Sequence, residues 1–433
     1  MSLFGSSGIR GVIGEQMTVD LALSIGKAMG SLYPRTIIGM DTRTSGDMVL
    51  HALTAGITSA GGHVWHAGMV ATPTLARATK RFDCGLMVTA SHNPPEYNGV
   101  KMWNPDGSAF DSAQMVAVEE RIRLQEFRLA DWSEVGRLAQ FDGAMQAHVD
   151  AILADLPTVD LEVVLDCGNG ATCLVSPLAL RSLGCKVMTF NSHPDGFFPG
   201  RPSEPTEDNL SDLKVGVLNR SADMGIAHDG DGDRMVAIDE KGRYIDGDRL
   251  LALFASHLDV MDVVAPVDAS MVLDDIVPGK VIRTRVGDVY VSEALKLTHA
   301  SFGGEPSGTF IFPKQSYCPD GVYAAAFLAS IVQQQPLSEM VDALPSYPVA
   351  RRSYVFKEGD RRETVSRLQQ EMEAVECDEL TTVDGFRARY GEGWFLVRLS
   401  GTEPKIRLSA EAREMGDLDK LVGMAERVIR RCL

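Results

Sequence analysis

The sequence predicts an α/β protein of several domains, closed by a smaller α+β domain. Three observations predict it. Short β-rich runs alternate with stretches of helical periodicity up to about residue 346, the pattern of parallel sheet layered by helices. From about residue 349 the order changes to strand, helix, three strands and a final helix, which suits an antiparallel sheet. The 433 residues are enough for two to four domains at roughly 100–200 residues each.

The elements follow in order. Residues 35–43 read as a strand ending in polar residues, 47–62 as a helix with a Gly stop, and 63–68 as a second strand. A similar unit starts at 161–172 with a strand and a Gly-rich turn, then a helix and the strand 185–190. A third starts near Gly247, with a helix at 248–258 and a strand in 263–270. Three units of one grammar suggest a repeat at domain scale. The tail gives strand 351–356, helix 361–374, strands 379–391 and 393–400, strand 405–412 and helix 417–431. Breaks fall near 155–162, near Asp246–Asp248 and in the proline-bearing 344–351. The expected domains are therefore 1–155, 156–247, 248–346 and 347–433.

Composition narrows the function. Lys and Arg number 42 against 59 acids, a net charge of −17, which argues against a nucleic-acid partner because phosphate neutralisation needs a basic face. A phosphorylated metabolite stays open, since a few Arg and Lys can reverse the field inside one cleft. No stretch reaches the roughly 18–20 apolar residues of a membrane span, and no secretory leader is visible. The seven cysteines are odd in number and form no C-x-x-C pair, which fits reduced thiols. Most are expected to be buried hydrophobes, with Cys432 exposed near the C-terminus. A cytoplasmic protein is expected.

Four segments carry chemistry. In 88–103 a strand runs into Thr-Ala-Ser-His-Asn-Pro-Pro, whose prolines fix a tight loop that presents Ser91 for covalent chemistry, with His92 beside it. A polar loop with a capping serine is the competing reading. In 227–235, Asp229, Asp231 and Asp233 alternate with glycines, so one side of an extended loop carries three carboxylates. Such a cluster needs a cation, and carboxylate oxygens suit Mg²⁺. Flanking strand-like runs exclude an EF-hand, a solvated acidic turn stays open, and Arg234 is placed to neutralise the cluster or reach a phosphate. In 303–310, Gly304, Glu305 and Ser307 sit in a rigid loop where a carboxylate and a hydroxyl can share sugar hydroxyls. In 397–409, Ser400, Gly401 and Thr402 form a turn flanked by Arg398 and Arg407, an anion nest unless it is a plain hairpin. Arg10 in a Gly/Ser-rich stretch and Asp288 after Gly287 complete the candidates.

Together these segments resemble the α-D-phosphohexomutase family over the whole chain and in the family's order. Ser91 in TASHNP matches the phosphoserine loop, DGDGDR (229–234) the metal-binding loop, GEPSG (304–308) the sugar loop and RLSGTEPKIR (398–407) the phosphate-binding loop. The resemblance implies four domains around a central cleft, three related α/β domains and a smaller α+β one. It implies a phosphoserine enzyme with Mg²⁺ on Asp229, Asp231, Asp233 and a phosphoserine oxygen. A hexose phosphate is converted through a hexose 1,6-bisphosphate that turns by about half a rotation. Arg398, Ser400, Gly401 and Thr402 would anchor the distal phosphate, Glu305 and Ser307 the sugar. Lys101 and Arg234 would stabilise the transferred group, with Lys101 or His92 handling the proton. Motion of the fourth domain would release the intermediate to turn.

The resemblance favours glucosamine phosphate over mannose or glucose phosphate, with dual specificity as the alternative. VGD around Asp288 is similar to the phosphoglucosamine branch, and an acid there can pair with a 2-ammonium group. Pro306 stands where Met or Gln is commoner, and Thr309 where His is common. A non-catalytic phosphosugar binder and an aspartyl phosphatase are the rivals from other classes. The first would not need Ser91 beside a metal loop, and the second wants a hydroxyl partner that this aspartate loop lacks. A monomer or homodimer is expected.

Overall fold

The structure, a computed structural model, describes residues 3–5, 8–356, 361–400 and 405–433, with the main chain alone at 361 and 362. Three mixed sheets and one antiparallel sheet follow one another along the chain. In the first, the strands His63–Met69, Arg35–Met40 and Cys84–Val88 lie side by side and parallel, and Cys84–Val88 then turns back in a hairpin to Tyr97–Trp103. The second repeats this as Lys186–Phe190, Glu162–Asp166 and Met224–His228, with a hairpin to Met235–Asp239. The third repeats it as Val281–Thr284, Val263–Pro266 and Phe302–Glu305, with a hairpin to Thr309–Ile311. The repeat suspected from sequence grammar is thus a repeat of topology: three parallel strands and a closing hairpin.

The central strands are buried on both faces, as parallel sheet between helices requires. Cys84–Val88, Met224–His228 and Val263–Pro266 are buried at every residue. Helices Val19–Leu32 and Gly46–Ser59 cover the first sheet and approach closely because Gly26 faces the Leu53 carbonyl, where a Cβ would come within 2.3 Å.

The fourth sheet is antiparallel throughout, in the order Val349–Val355, Lys405–Glu411, Gly393–Leu399, Phe386–Tyr390, Glu379–Thr381. The expected strand 379–391 is broken, because Gly385 turns at φ +73° where its α-carbon packs against Arg398. The final helix, Met415–Cys432, lays a buried stripe of Leu418, Leu421, Val422, Ala425, Val428 and Ile429 on this sheet. Cys432 continues the stripe and is buried, contrary to its expected exposure: its distance from the chain end mattered less than its helical phase. All seven cysteines are free thiols, and Cys377 alone is half-buried.

The second and third units share one continuous core that includes Leu165, Leu180, Phe254 and Phe302. The fourth joins the third through a small apolar seam of Val267, Met271, Trp394 and Leu396. Beside it, Glu411 accepts hydrogen bonds from Ser270 Oγ (2.5 Å), Met271 N (2.7 Å) and Trp394 Nε1 (3.1 Å). No helix among the described residues is long and apolar enough to cross a membrane.

Candidate active site

The four chemistry-bearing segments fall on four antiparallel strand pairs, and residues of all four line one cleft. The first turn presents Ser91. Strand Cys84–Val88 delivers Thr89, whose hydroxyl donates to Asp41 Oδ2 (2.7 Å) and accepts from Ser91 N (2.8 Å). Ser91 takes φ +50°, a left-handed conformation costly for a residue with a Cβ. Arg43 holds it there. Its guanidinium donates to the carbonyls of Ser91 (2.9 Å), Asn93 (2.6 Å), Pro94 (2.6 Å) and Tyr97 (2.8 Å) while Nε pairs with Asp41 at 3.1 Å. From the second unit, Ser203 Oγ donates to the carbonyls of His92 (2.8 Å) and Asn93 (3.1 Å).

The second turn brings Asp229, Asp231 and Asp233 together, all buried, with ligand atoms within 4.8 Å of one another. Ser91 Oγ donates to Asp229 Oδ2 at 2.8 Å. Lys101 Nζ donates to Asp231 Oδ2 (2.8 Å) and Asp233 Oδ2 (2.5 Å), and Thr72 Oγ1 also donates to Asp231 Oδ2 (2.6 Å). Asp231 Oδ1 and Asp233 Oδ1 are buried with no partner among the described residues. Uncommitted oxygens beside a packed carboxylate cluster fit a hard divalent cation such as Mg²⁺. Gly230 is needed because a Cβ there would lie 2.6 Å from the Ser91 carbonyl.

The electrostatics assign protonation states. Burial opposes the Lys101 ammonium, but Asp231 and Asp233 outweigh it and hold its pKa above the usual lysine range. Burial and the repulsion of Asp233 and Asp231 push Asp229 well above the carboxylate range. Burial, then Arg234, Arg10 and Lys101, drive His92 down to about 2. His92 is therefore neutral, and its Nδ1 has no partner among the described residues.

The third turn supplies Glu305, whose Oε1 accepts from Gly287 N (2.7 Å) and Oε2 from Thr309 Oγ1 (3.2 Å). Thr309 thus braces the carboxylate. Burial, then Asp288 and Asp268, push Glu305 to about 7. Ser307 is exposed at the cleft. Gly304 lies inside the strand, where a Cβ would meet the Thr309 carbonyl at 2.4 Å, so it serves the hairpin rather than the cleft wall. A bridge between Arg234 and Thr309 ties the third turn to the second.

The fourth hairpin places Arg398 directly opposite Arg407. Arg398 pairs with Asp384 at 3.5 Å, and Ser400 N donates to Lys405 O at 2.8 Å. Gly401 and Thr402 lie outside the described residues. The cleft between these turns holds about 620 Å³. Its walls include Arg10 and His92 from the first unit, Arg234 from the second, Asp288, Glu305 and Ser307 from the third, and Arg398, Ser400 and Arg407 from the fourth. Arg10 Nη1 donates to Asn93 Oδ1 at 3.3 Å. Ser91, Lys101 and the aspartates are buried beneath this wall.

Arg43, Thr72 and Ser203, which hold the loops, and Asp268 and Asp384, which line the cleft, lie outside the four motifs. Polar residues after the strand Arg35–Met40 were a signal for Arg43. The others gave none, because their partners lie far along the chain.

Four consecutive domain families account for nearly the whole sequence. Domain I of phosphoglucomutase/phosphomannomutase matches residues 1–129, domain II 144–242, domain III 246–347 and the C-terminal domain 356–427. The chain belongs to the phosphoglucomutase/phosphomannomutase family. Within that family, a probable phosphoglucosamine mutase of Methanocella arvoryzae is 50% identical, covering 100% of this chain and 99% of the relative. One of Methanococcoides burtonii is 48% identical, with 100% of both chains covered. A solved phosphoglucomutase/phosphomannomutase family protein from Burkholderia thailandensis superposes with a TM-score of 0.89 at 30% identity, covering 99% of this chain and 97% of its own.

Proposed function

We propose that this family member interconverts hexose 6-phosphate and hexose 1-phosphate through a phosphoryl group carried on Ser91 and a hexose 1,6-bisphosphate. Glucosamine phosphate is the substrate we assign. The observation that carries the reading is the 2.8 Å contact of Ser91 Oγ with Asp229 in the three-aspartate turn, with Lys101 on the other two carboxylates. A phosphatase would release its phosphate to water. This chain instead adds a second anion anchor, Arg398 and Arg407, across the cleft, so one phosphate can stay held while the other is exchanged.

Asp229, Asp231 and Asp233 would hold the Mg²⁺, which supplies charge neutralisation for the transferring phosphoryl group. Lys101, locked as an ammonium, and Arg234 stabilise its oxygens. In the first transfer the sugar hydroxyl attacks the phosphorus, the Ser91 Oγ–P bond breaks, and the hydroxyl proton ends on Ser91 Oγ. Lys101, held as an ammonium, cannot take that proton, and His92 can pass it on only by accepting at one ring nitrogen while donating from the other. Glu305 and Ser307 hold sugar hydroxyls while Arg398, Ser400 and Arg407, with Gly401 and Thr402, anchor the far phosphate. The four units would act as 1–155, 156–247, 248–346 and 347–433, in the cytoplasm, as a monomer or homodimer. The glucosamine assignment is supported by the archaeal relatives named above and by the acidic sugar end of the cleft. A turnover panel with Mg²⁺ and a trace of hexose 1,6-bisphosphate tests it. Glucosamine 6-phosphate should give the highest kcat/KM over mannose 1-phosphate and glucose 1-phosphate, and Ser91→Ala should abolish all three. Preference for a neutral sugar would overturn the substrate, and turnover by the serine variant would overturn the mechanism.

A further inference from the structure

Two carboxylates besides Glu305, those of Asp288 and Asp268, line the cleft between its arginines. Glu305 lines the same cleft and feels the repulsion of the other two. Asp288 opens the helix Asp288–Thr298, and its strongest charged neighbours are Lys101 and Asp233, at the end of the cleft where phosphoryl transfer occurs. Asp268 sits at the other end. Its strongest charged neighbours are Arg398 and Arg351, and it lines both the main cleft and an adjoining pocket of about 230 Å³ shared with Arg351, Arg398 and Arg407. Asp268 Oδ1 is shielded from solvent and has no hydrogen-bond partner among the described residues. A buried carboxylate oxygen left without a partner is costly unless a ligand supplies one.

The substrate's own geometry explains two such positions. The 2-amino group of glucosamine is attached next to C1. With the 6-phosphate anchored at Arg398 and Arg407, C1 and the amino group lie at the transfer end. After the half-turn the 1-phosphate occupies the anchor, and the amino group has moved to the anchor end. A single counter-ion cannot serve both poses.

We propose that Asp288 and Asp268 receive the 2-ammonium group in turn: Asp288 when the 6-phosphate is anchored, Asp268 when the 1-phosphate is. Specificity for an amino sugar is then maintained through the reorientation, and a neutral 2-hydroxyl brings no positive charge to either carboxylate. This inference rests on the assignment of glucosamine phosphate as substrate.

The test is equilibrium binding by calorimetry to Ser91→Ala protein in Mg²⁺, where no turnover intervenes. The four probes are glucosamine 1-phosphate, glucosamine 6-phosphate and the two glucose phosphates. Losing one charged hydrogen-bond partner should cost about tenfold in affinity. Asp268→Asn should lower the preference for glucosamine 1-phosphate over glucose 1-phosphate by that factor and spare the preference for glucosamine 6-phosphate over glucose 6-phosphate. Asp288→Asn should do the reverse. Asp268→Ser and Asp288→Ser repeat the measurement if an Asn variant fails to fold. Equal losses for both amino sugars in each variant, or no change in either preference, would overturn the two-position receptor. The turnover panel separates this from failure of the substrate assignment: an enzyme that prefers glucosamine phosphate but ignores both substitutions refutes only the receptor.

Discussion

Arg43 is the residue on which presentation of Ser91 depends most, and Arg43→Met is the perturbation that measures it. The guanidinium pairs with Asp41 at 3.1 Å and caps four carbonyls of the 91–97 loop at 2.6–2.9 Å, with both side chains of the pair fully buried. Removing one member of a buried ion pair costs about 3–5 kcal/mol. Ser91 then keeps its left-handed φ of +50° without the guanidinium on its carbonyl. That conformation costs roughly 1–2 kcal/mol, so the loop relaxes. A displacement of about 1 Å at the reacting atom costs on the order of a hundredfold in rate. Burial already raises the Asp41 carboxyl and Arg43 opposes it, so the loss of stability should be larger at pH 8 than at pH 5. The assays are mutase turnover and a denaturant midpoint at both pH values. Arg43→Lys separates charge from geometry: it restores much of the stability through Asp41 but not the rate, because one ammonium cannot reach four carbonyls. A methionine variant with wild-type kcat would refute the claim that Arg43 positions the serine.

Other expectations follow from the same geometry. Mg²⁺ should raise the melting temperature by relieving repulsion among three buried carboxylates, by about 2.7 kcal/mol of stability at a hundred times Kd, and Asp231→Asn should erase the shift. Glu305 has its pKa raised to about 7, so its protonated form is favoured in the fold: stability falls as pH rises from the unfolded value near 4.5 through 7, by at most on the order of 3 kcal/mol. Sugar binding, which needs the ionised carboxylate as acceptor, should tighten over the same rise. Glu305→Gln should flatten both profiles, and a variant that keeps the pH dependence of KM would contradict the role. Glu411→Ala removes the acceptor of Ser270 Oγ, Met271 N and Trp394 Nε1, at about 1–3 kcal/mol for each donor left unsatisfied. It should loosen the fourth unit and speed proteolysis in the 344–348 linker, and unchanged cleavage would show that the apolar seam alone holds the unit.

Much of this site was legible in the sequence because its chemistry is local. Ser91 beside two prolines, three aspartates spaced by glycines, and Ser400 between two arginines are each read within a few residues. The parallel strands were legible for the same reason, as apolar runs between turn signals. What could not be read depends on pairing across the chain. Arg43 reaches the serine loop 48 residues on, Ser203 reaches back 111, and Thr72 meets Asp231 at a separation of 159. Protonation was equally hidden. The sequence offers His92 as a proton carrier, and it is burial, with Arg234, Arg10 and Lys101 converging from distant segments, that holds it neutral. The break of 379–391 into two strands turned on the close packing of Gly385, which no periodicity signals.

The central claim is that Ser91 carries the phosphoryl group, and the most direct measurement is peptide mass spectrometry of protein exposed to hexose 1,6-bisphosphate, before and after mixing with glucosamine 6-phosphate. The account predicts one phosphate on the Ser91 peptide, none in Ser91→Ala, and its transfer to the sugar at a rate no slower than kcat. A phosphate found on another residue, or one on Ser91 that the sugar cannot remove, would contradict it.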